Sequence, residues 1–244
     1  MIRLTPISPE RLPTPSPERN STVEPSEKPL SALPSLPSSQ PELVHQERQS
    51  KLAELKTPRA RILDFDIETR LVGFYQAGRF KPAGCEPIAI GCSWVGEDEV
   101  HSVLLSEASH DNVVAMLEWF LEFYAEATMV TGHYITKFDL PILNGACLEW
   151  GLPPMSGKLA QDTKTGLITF EGLSKSQENL SKMLQIGSGK YHMSDADWRR
   201  ATRLTSGGQK RERKRVESDV RQHKEMREEL LRRGMLNPPV MWKP

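Results

Sequence analysis

The 244-residue sequence predicts an α/β fold, a mixed five-stranded sheet flanked by helices and preceded by a disordered N-terminal tail. Three observations carry that expectation. The first is the stretch Arg61-Ile-Leu-Asp-Phe-Asp-Ile-Glu-Thr-Arg70, where Leu63, Phe65 and Ile67 alternate with Asp64, Asp66 and Glu68, the period-2 pattern of a strand. The second is the element order that follows: three strands joined by tight turns, then alternating helices and strands that add parallel neighbours. The third is a change of composition near residue 57.

Residues 1–57 hold more than half of the chain's 19 prolines, interleaved with Ser, Glu and Thr, and no aromatic residue. Little there offsets the entropy of ordering the segment, so it reads as a disordered tail with one short helix around Val44 to Leu55. Its functional alternative is a docking tail for a partner. Residues 58–244 form the expected domain. The 32 basic and 32 acidic side chains cancel, so net charge selects no class of partner. Cys85, Cys92 and Cys147 are odd in number and lack CxxC spacing. That argues against a structural zinc site or a disulfide framework and suits a reducing cytosol. No apolar run approaches the roughly 20 residues that span a bilayer, and Met1-Ile-Arg-Leu-Thr-Pro lacks the core of a secretory signal. A cytoplasmic protein with no membrane partner is expected.

The elements follow in order. The acidic strand comes first, with Pro87–Val95 as a core strand rich in Ile, Val and Trp, a turn at Gly96-Glu-Asp-Glu99, and Val100–Leu105 as its hairpin partner. From Asp111 the period changes: Val113, Val114, Leu117, Phe120, Leu121 and Tyr124 mark an amphipathic helix. Thr128–Thr131 is the fourth strand. Phe138 to Trp150 is a helix stopped by Gly151 and Pro153-Pro154, and Leu159–Thr163 is the fifth strand. Ser174 and Gln177 stand at capping-box spacing ahead of another helix. After about residue 188 the chain turns basic. The Arg/Lys run from 199 to 215 reads by default as a solvated loop, with phosphate contact as the functional alternative. Val216, Val220, His223, Arg227 and Leu230 then share one face of a terminal helix that Gly234 ends.

The acidic face of the first strand sets the chemistry. Its carboxylates fall roughly 7 Å apart, and like charges aligned on a β face repel. A hard divalent cation with oxygen ligands removes that objection. Asp139 at a helix start and Asp219 in the terminal helix are the further acids that complete such a set.

Phe65-Asp-Ile-Glu-Thr69 resembles the first motif of the DEDD-type, DnaQ-like 3′→5′ exonucleases. These share a ribonuclease H-like fold with the proofreading domains of family B polymerases. Gly132-His-Tyr-Ile-Thr-Lys-Phe-Asp-Leu-Pro-Ile-Leu143 resembles the second motif, and Arg215-Val-Glu-Ser-Asp-Val220 the third. Some bacteriophage replication-associated exonucleases look similar over about residues 60–240. The resemblance implies that Asp66, Glu68, Asp139 and Asp219 are the catalytic acids and ligands of two Mg²⁺ ions, with Mn²⁺ able to substitute. It implies a DNA substrate, with single-stranded or frayed ends hydrolysed to nucleoside 5′-monophosphates, and a polymerase or replisome partner acting in trans in a bacterial or phage-infected cell. Thr69, Phe138 and Arg215 would contact substrate. The family places a Tyr four residues, or a His five residues, before the last acid; here Arg215 and Lys214 hold those places. His223, His192 and His133 are therefore the candidate general bases, none at the family position. Two other readings stand beside this one: an exonuclease acting on RNA or oligonucleotides, and a weakly active or inactive relative that binds nucleic acid or a polymerase. Asp64 reads as a fringe polar residue and Asp162 as a loop residue.

Overall fold

The computed structural model describes residues 60–72, 82–168 and 172–244. The expected tail and the short helix near Val44–Leu55 lie outside the described residues. The described chain is mixed α/β, with six strands: β1 (Ile62–Leu71), β2 (Cys85–Trp94), β3 (His101–Leu104), β4 (Met129–Gly132), β5 (Lys158–Asp162) and β6 (Val240–Trp242). The helices are α1 (His110–Glu126), α2 (Asp139–Glu149), α3 (Gln177–Leu184), α4 (Asp195–Thr202) and α5 (Ser206–Arg232).

The sheet order is β3-β2-β1-β4-β5-β6. The β1–β2 and β2–β3 pairs are antiparallel, while β4 joins β1 and β5 joins β4 in parallel. The acidic strand is thus central, as its sequence position suggests. The expectation of five strands is corrected to six, because β6 pairs antiparallel with β5 (Leu159 opposite Met241). Its three residues are too few to show a period, and Pro238-Pro239 reads as a stop although it only precedes the strand.

Each face of β1 meets a different layer. Leu63, Phe65 and Ile67 join the main core with Val113, Leu117 and Phe120 of α1 and Leu140 and Leu143 of α2. Phe65 and Phe120 pack ring against ring at 5.1 Å. The acidic face lies under α5, where Val216 and Val220 are wholly buried. Gly91 of β2 lets this helix approach, since a β-carbon there would stand 3.0 Å from Val216 Cγ2.

Two expectations about the C-terminal third are corrected. The basic run is not a loop: it is divided between α4 and the first turns of α5. Ser194 and Asp197 cap α4 reciprocally, and Thr205 caps α5 by accepting from the Gly208 N–H. Gly207-Gly208 reads as a loop in sequence. Gly208 is instead a packing requirement, because a β-carbon would fall 2.3 Å from the Arg200 carbonyl carbon where α4 crosses α5. The cap of α3 is Ser176, which accepts from Asn179 N–H, rather than Ser174. Gln177 is turned inward, its amide donating to the Asp219 carbonyl at 2.9 Å.

Candidate metal centre

Strand β1 carries the first two acids to a place where the sheet is interrupted. Its pairing with β4 stops at Asp64 opposite Thr131, and its register with β2 shifts between Glu68 and Thr69. Such a shift re-aims side chains at a sheet's working end. Asp66 and Glu68 are half-buried there, under α5. Asp64, on the same face, is not the fringe residue expected. It is wholly buried, and His223 Nδ1 lies 2.7 Å from its Oδ2. Its place beneath the helix follows from what covers the strand, which period-2 alternation does not reveal.

Because β1 outruns β4, the Ile67 N–H has no strand partner on that side, and Asp139 supplies one: the amide donates to Asp139 Oδ1 at 3.1 Å. The loop between β4 and α2 aims this carboxylate. Gly132 permits the exit from β4, since a β-carbon would meet Phe65 O at 2.6 Å. Tyr134 takes a positive φ of 75°. Asp162 at the end of β5 then ties the loop down. It accepts from the Tyr134 and Thr136 amides (2.9 and 3.0 Å), the Thr136 hydroxyl (2.7 Å), and the Lys164 and Thr165 amides (2.9 and 3.0 Å). Burial alone would raise its pKa, but these donors outweigh burial and hold it below the ordinary value.

Helix α5 delivers Asp219. Ligand oxygens of Asp66, Glu68 and Asp219 all lie within 4.8 Å of one another. Two cations join them. Arg215 Nε lies 3.1 Å from both Glu68 Oε1 and Asp219 Oδ2, and its Nη1 donates to Tyr191 O at 2.9 Å. Lys190 Nζ is 2.9 Å from Asp219 Oδ2. Sequence reasoning singled out Arg215 and missed Lys190, which stands in a helix-free segment among ordinary polar residues.

Charge crowding shows in the acids. Burial, then Asp219, Asp139 and Glu68, push the Asp66 pKa well up. Burial and Asp219 raise Glu68 to about 7 against the pull of Arg215 and Lys190. Asp139 rises to about 8, mainly through burial, although the Ile67 amide favours its charged form. Burial also raises Asp219, opposed by the same two cations. On α5, seven residues before Asp219, Glu212 is wholly buried with neither carboxylate oxygen bonded among the described residues; burial and Glu68 lift its pKa to about 8.

No protein-family model matches the chain, and no curated protein matches it. Its fold does have a likeness among solved structures. The family B DNA polymerase from the hyperthermophilic archaeon Pyrobaculum calidifontis matches with a TM-score of 0.50 and 16% identity, over 71% of this chain and 25% of the polymerase. The chain thus spans about a quarter of that protein's length, and at this identity the likeness concerns the fold alone.

The three histidines are placed very differently. His223 has both ring nitrogens engaged, Nδ1 with Asp64 and Nε2 with Thr163 Oγ1 at 2.9 Å. His133 Nδ1 meets the same hydroxyl at 3.0 Å, and burial and the charge of His223 push its pKa down to about 3. Both belong to a polar network that pins α5 to the sheet, which also includes Arg227 Nε donating to Gln161 Oε1 at 3.0 Å. His192 is exposed and close enough to Asp219 to favour its charged form. Thr69 lies just past the register shift, and Phe138 is the half-buried residue before α2, packed on the main core. Trp198 of α4 lies 5.9 Å from the Arg215 guanidinium.

The residues present suit a hard divalent cation. Three carboxylates converge, a fourth (Asp139 of α2) is tied to β1 through the Ile67 N–H, and Asp219 Oδ1 is buried without a hydrogen-bond partner among the described residues. Oxygen-only donors of this kind favour Mg²⁺ or Mn²⁺ over softer metals.

Proposed function

We propose that the chain is a metal-dependent 3′→5′ exonuclease with a ribonuclease H-like domain over residues 58–244, hydrolysing DNA at single-stranded or frayed ends to nucleoside 5′-monophosphates. The observation that carries the reading is the convergence of Asp66, Glu68 and Asp219 from β1 and α5, with Asp139 of α2 tied to β1 through the Ile67 N–H. These four acids would hold two Mg²⁺ ions. Such ions, when bound, acidify the attacking water and stabilise the departing 3′-oxygen.

The chain's own residues do the rest. Asp162 fixes the loop that presents Asp139, and Gln177 holds the α5 backbone at Asp219. Lys190 would bring positive charge to the place where a scissile phosphate would sit, and Thr69, Phe138 and Arg215 are the further candidate substrate contacts. His192, at the exposed rim, is the candidate for taking the proton from the attacking water. Arg/Lys side chains of α4 and α5 would position the strand by its phosphates without reading sequence. Residues 1–57 offer a tail through which a polymerase or replisome partner could recruit the domain.

One observation favours a second reading. Arg215 and Lys190 already neutralise part of the acid cluster, which is what a weakly active or inactive nucleic-acid-binding relative would need to fold without metal. Matched DNA and RNA oligonucleotides, 3′-labelled and incubated with Mg²⁺ or with chelator, separate these readings. Release of label from DNA alone, abolished by chelator, supports the proposal. Preference for RNA moves the substrate class, and DNA retention without cleavage favours the inactive relative.

A further inference from the structure

Glu212 has no part in the arrangement above, yet it is 0% exposed and neither of its carboxylate oxygens has a partner among the described residues. Such a group carries the full desolvation penalty with nothing returned, so its retention asks for a partner that arrives in another state. A candidate on its own helix is Arg215, about one turn later. Residues three apart are neighbours on a helix surface, so Glu212 and Arg215 stand on adjoining turns of α5.

Arg215 now sits where a cation ligand set is needed. Its Nε faces Glu68 Oε1 and Asp219 Oδ2 at 3.1 Å each. A divalent ion taking those oxygens would meet the guanidinium at close range, and like charges so placed repel. The guanidinium must then move. Glu212 offers what it needs, two unbonded carboxylate oxygens that match its planar fork. Glu212 is also close enough to Glu68 for their charges to interact, which places it beside the cluster the guanidinium would leave.

We propose that Arg215 has two seats, the one it occupies here on Glu68 and Asp219 and one on Glu212 that it takes once a divalent cation is bound. Glu212 is then a positioning residue that sets metal affinity by receiving the displaced guanidinium. The inference rests on the metal-site reading given above.

The test is Mn²⁺ binding by calorimetry to the full chain and to the E212Q, R215Q and doubly substituted proteins, a cycle that isolates the coupling between the two positions. Mn²⁺ alone is the probe, and no activity is read. R215Q should tighten Mn²⁺ binding about tenfold by removing the competing cation, and E212Q should weaken it about tenfold. The double variant should match R215Q within about twofold, because no guanidinium remains to be seated. Equal weakening by E212Q in both backgrounds, or no effect in either, overturns the proposal. If E212Q lacks a cooperative unfolding transition, R215Q still decides: unchanged or weaker Mn²⁺ binding overturns it. Absence of Mn²⁺ binding by every protein refutes the metal-site reading and this inference with it. Binding without the coupling refutes this inference alone.

Discussion

Replacing Asp162 by Asn probes whether the loop that presents Asp139 is held by charge. The carboxylate accepts five hydrogen bonds, three at Oδ1 from the amides of Tyr134, Lys164 and Thr165, and two at Oδ2 from the amide and hydroxyl of Thr136. Asparagine keeps one oxygen, which best serves the three amides, and turns its NH₂ toward the Thr136 amide. That leaves one N–H facing another and removes the charge from every remaining bond. Hydrogen bonds to a charged group contribute about 1.5–3 kcal/mol each, so a loss of roughly 3 kcal/mol is expected. Urea unfolding at pH 7 measures it as a fall in the midpoint at unchanged slope. Acid supplies a second check. The Asp162 pKa is depressed in the folded protein, so its contribution is present above the unfolded value of 3.8 and is lost as pH falls through the folded value. The gap between wild type and variant should close in that range. A variant within about 0.5 kcal/mol of wild type at pH 7 would refute the reasoning, because that is the range of substitutions that touch nothing important.

The raised acids predict the opposite pH trend for the metal-free protein. Glu68 goes from 4.5 to about 7 and Asp139 from 3.8 to about 8 on folding, so the folded state binds extra protons. Stability from these groups is full below the unfolded values and is lost as pH rises through the folded ones; for Glu68 this is about 3 kcal/mol. Thermal melts from pH 4 to 8.5 should decline without metal and flatten with saturating Mn²⁺. H223A should cost about 3–5 kcal/mol by leaving Asp64 buried without its partner, read by chemical unfolding. G208A should lower stability by about 1–3 kcal/mol, since its β-carbon would stand 2.3 Å from backbone rather than from a side chain that can turn.

How far the sequence foretold this structure depends on where each signal resides. The β1 alternation, the β2–β3 hairpin and the α1 stripe are local patterns, and all three elements are present near their expected bounds. The same local pattern put Asp64, Asp66 and Glu68 on one face, and the motif resemblance singled out Asp66 and Glu68. The burial of Asp64 was not legible there, because it is decided by α5, more than 150 residues away, through His223. The α4–α5 crossing was hidden by Gly208, which serves close packing while looking like a loop breaker. Lys190 and Glu212 have no motif: one acts through its reach to Asp219, the other is distinguished only by its lack of partners. Asp162 had a signal in its place at the end of β5, but its five donors come mostly from another loop.

The central claim is that the acid cluster cuts nucleic acid from the 3′ end with divalent metal. A 5′-labelled single-stranded DNA oligonucleotide incubated with Mg²⁺ should give a ladder that shortens one nucleotide at a time with wild-type protein, and should remain intact with D66A. Equal shortening by the two proteins, or label released at once as mononucleotide from the 5′ end, would contradict the account.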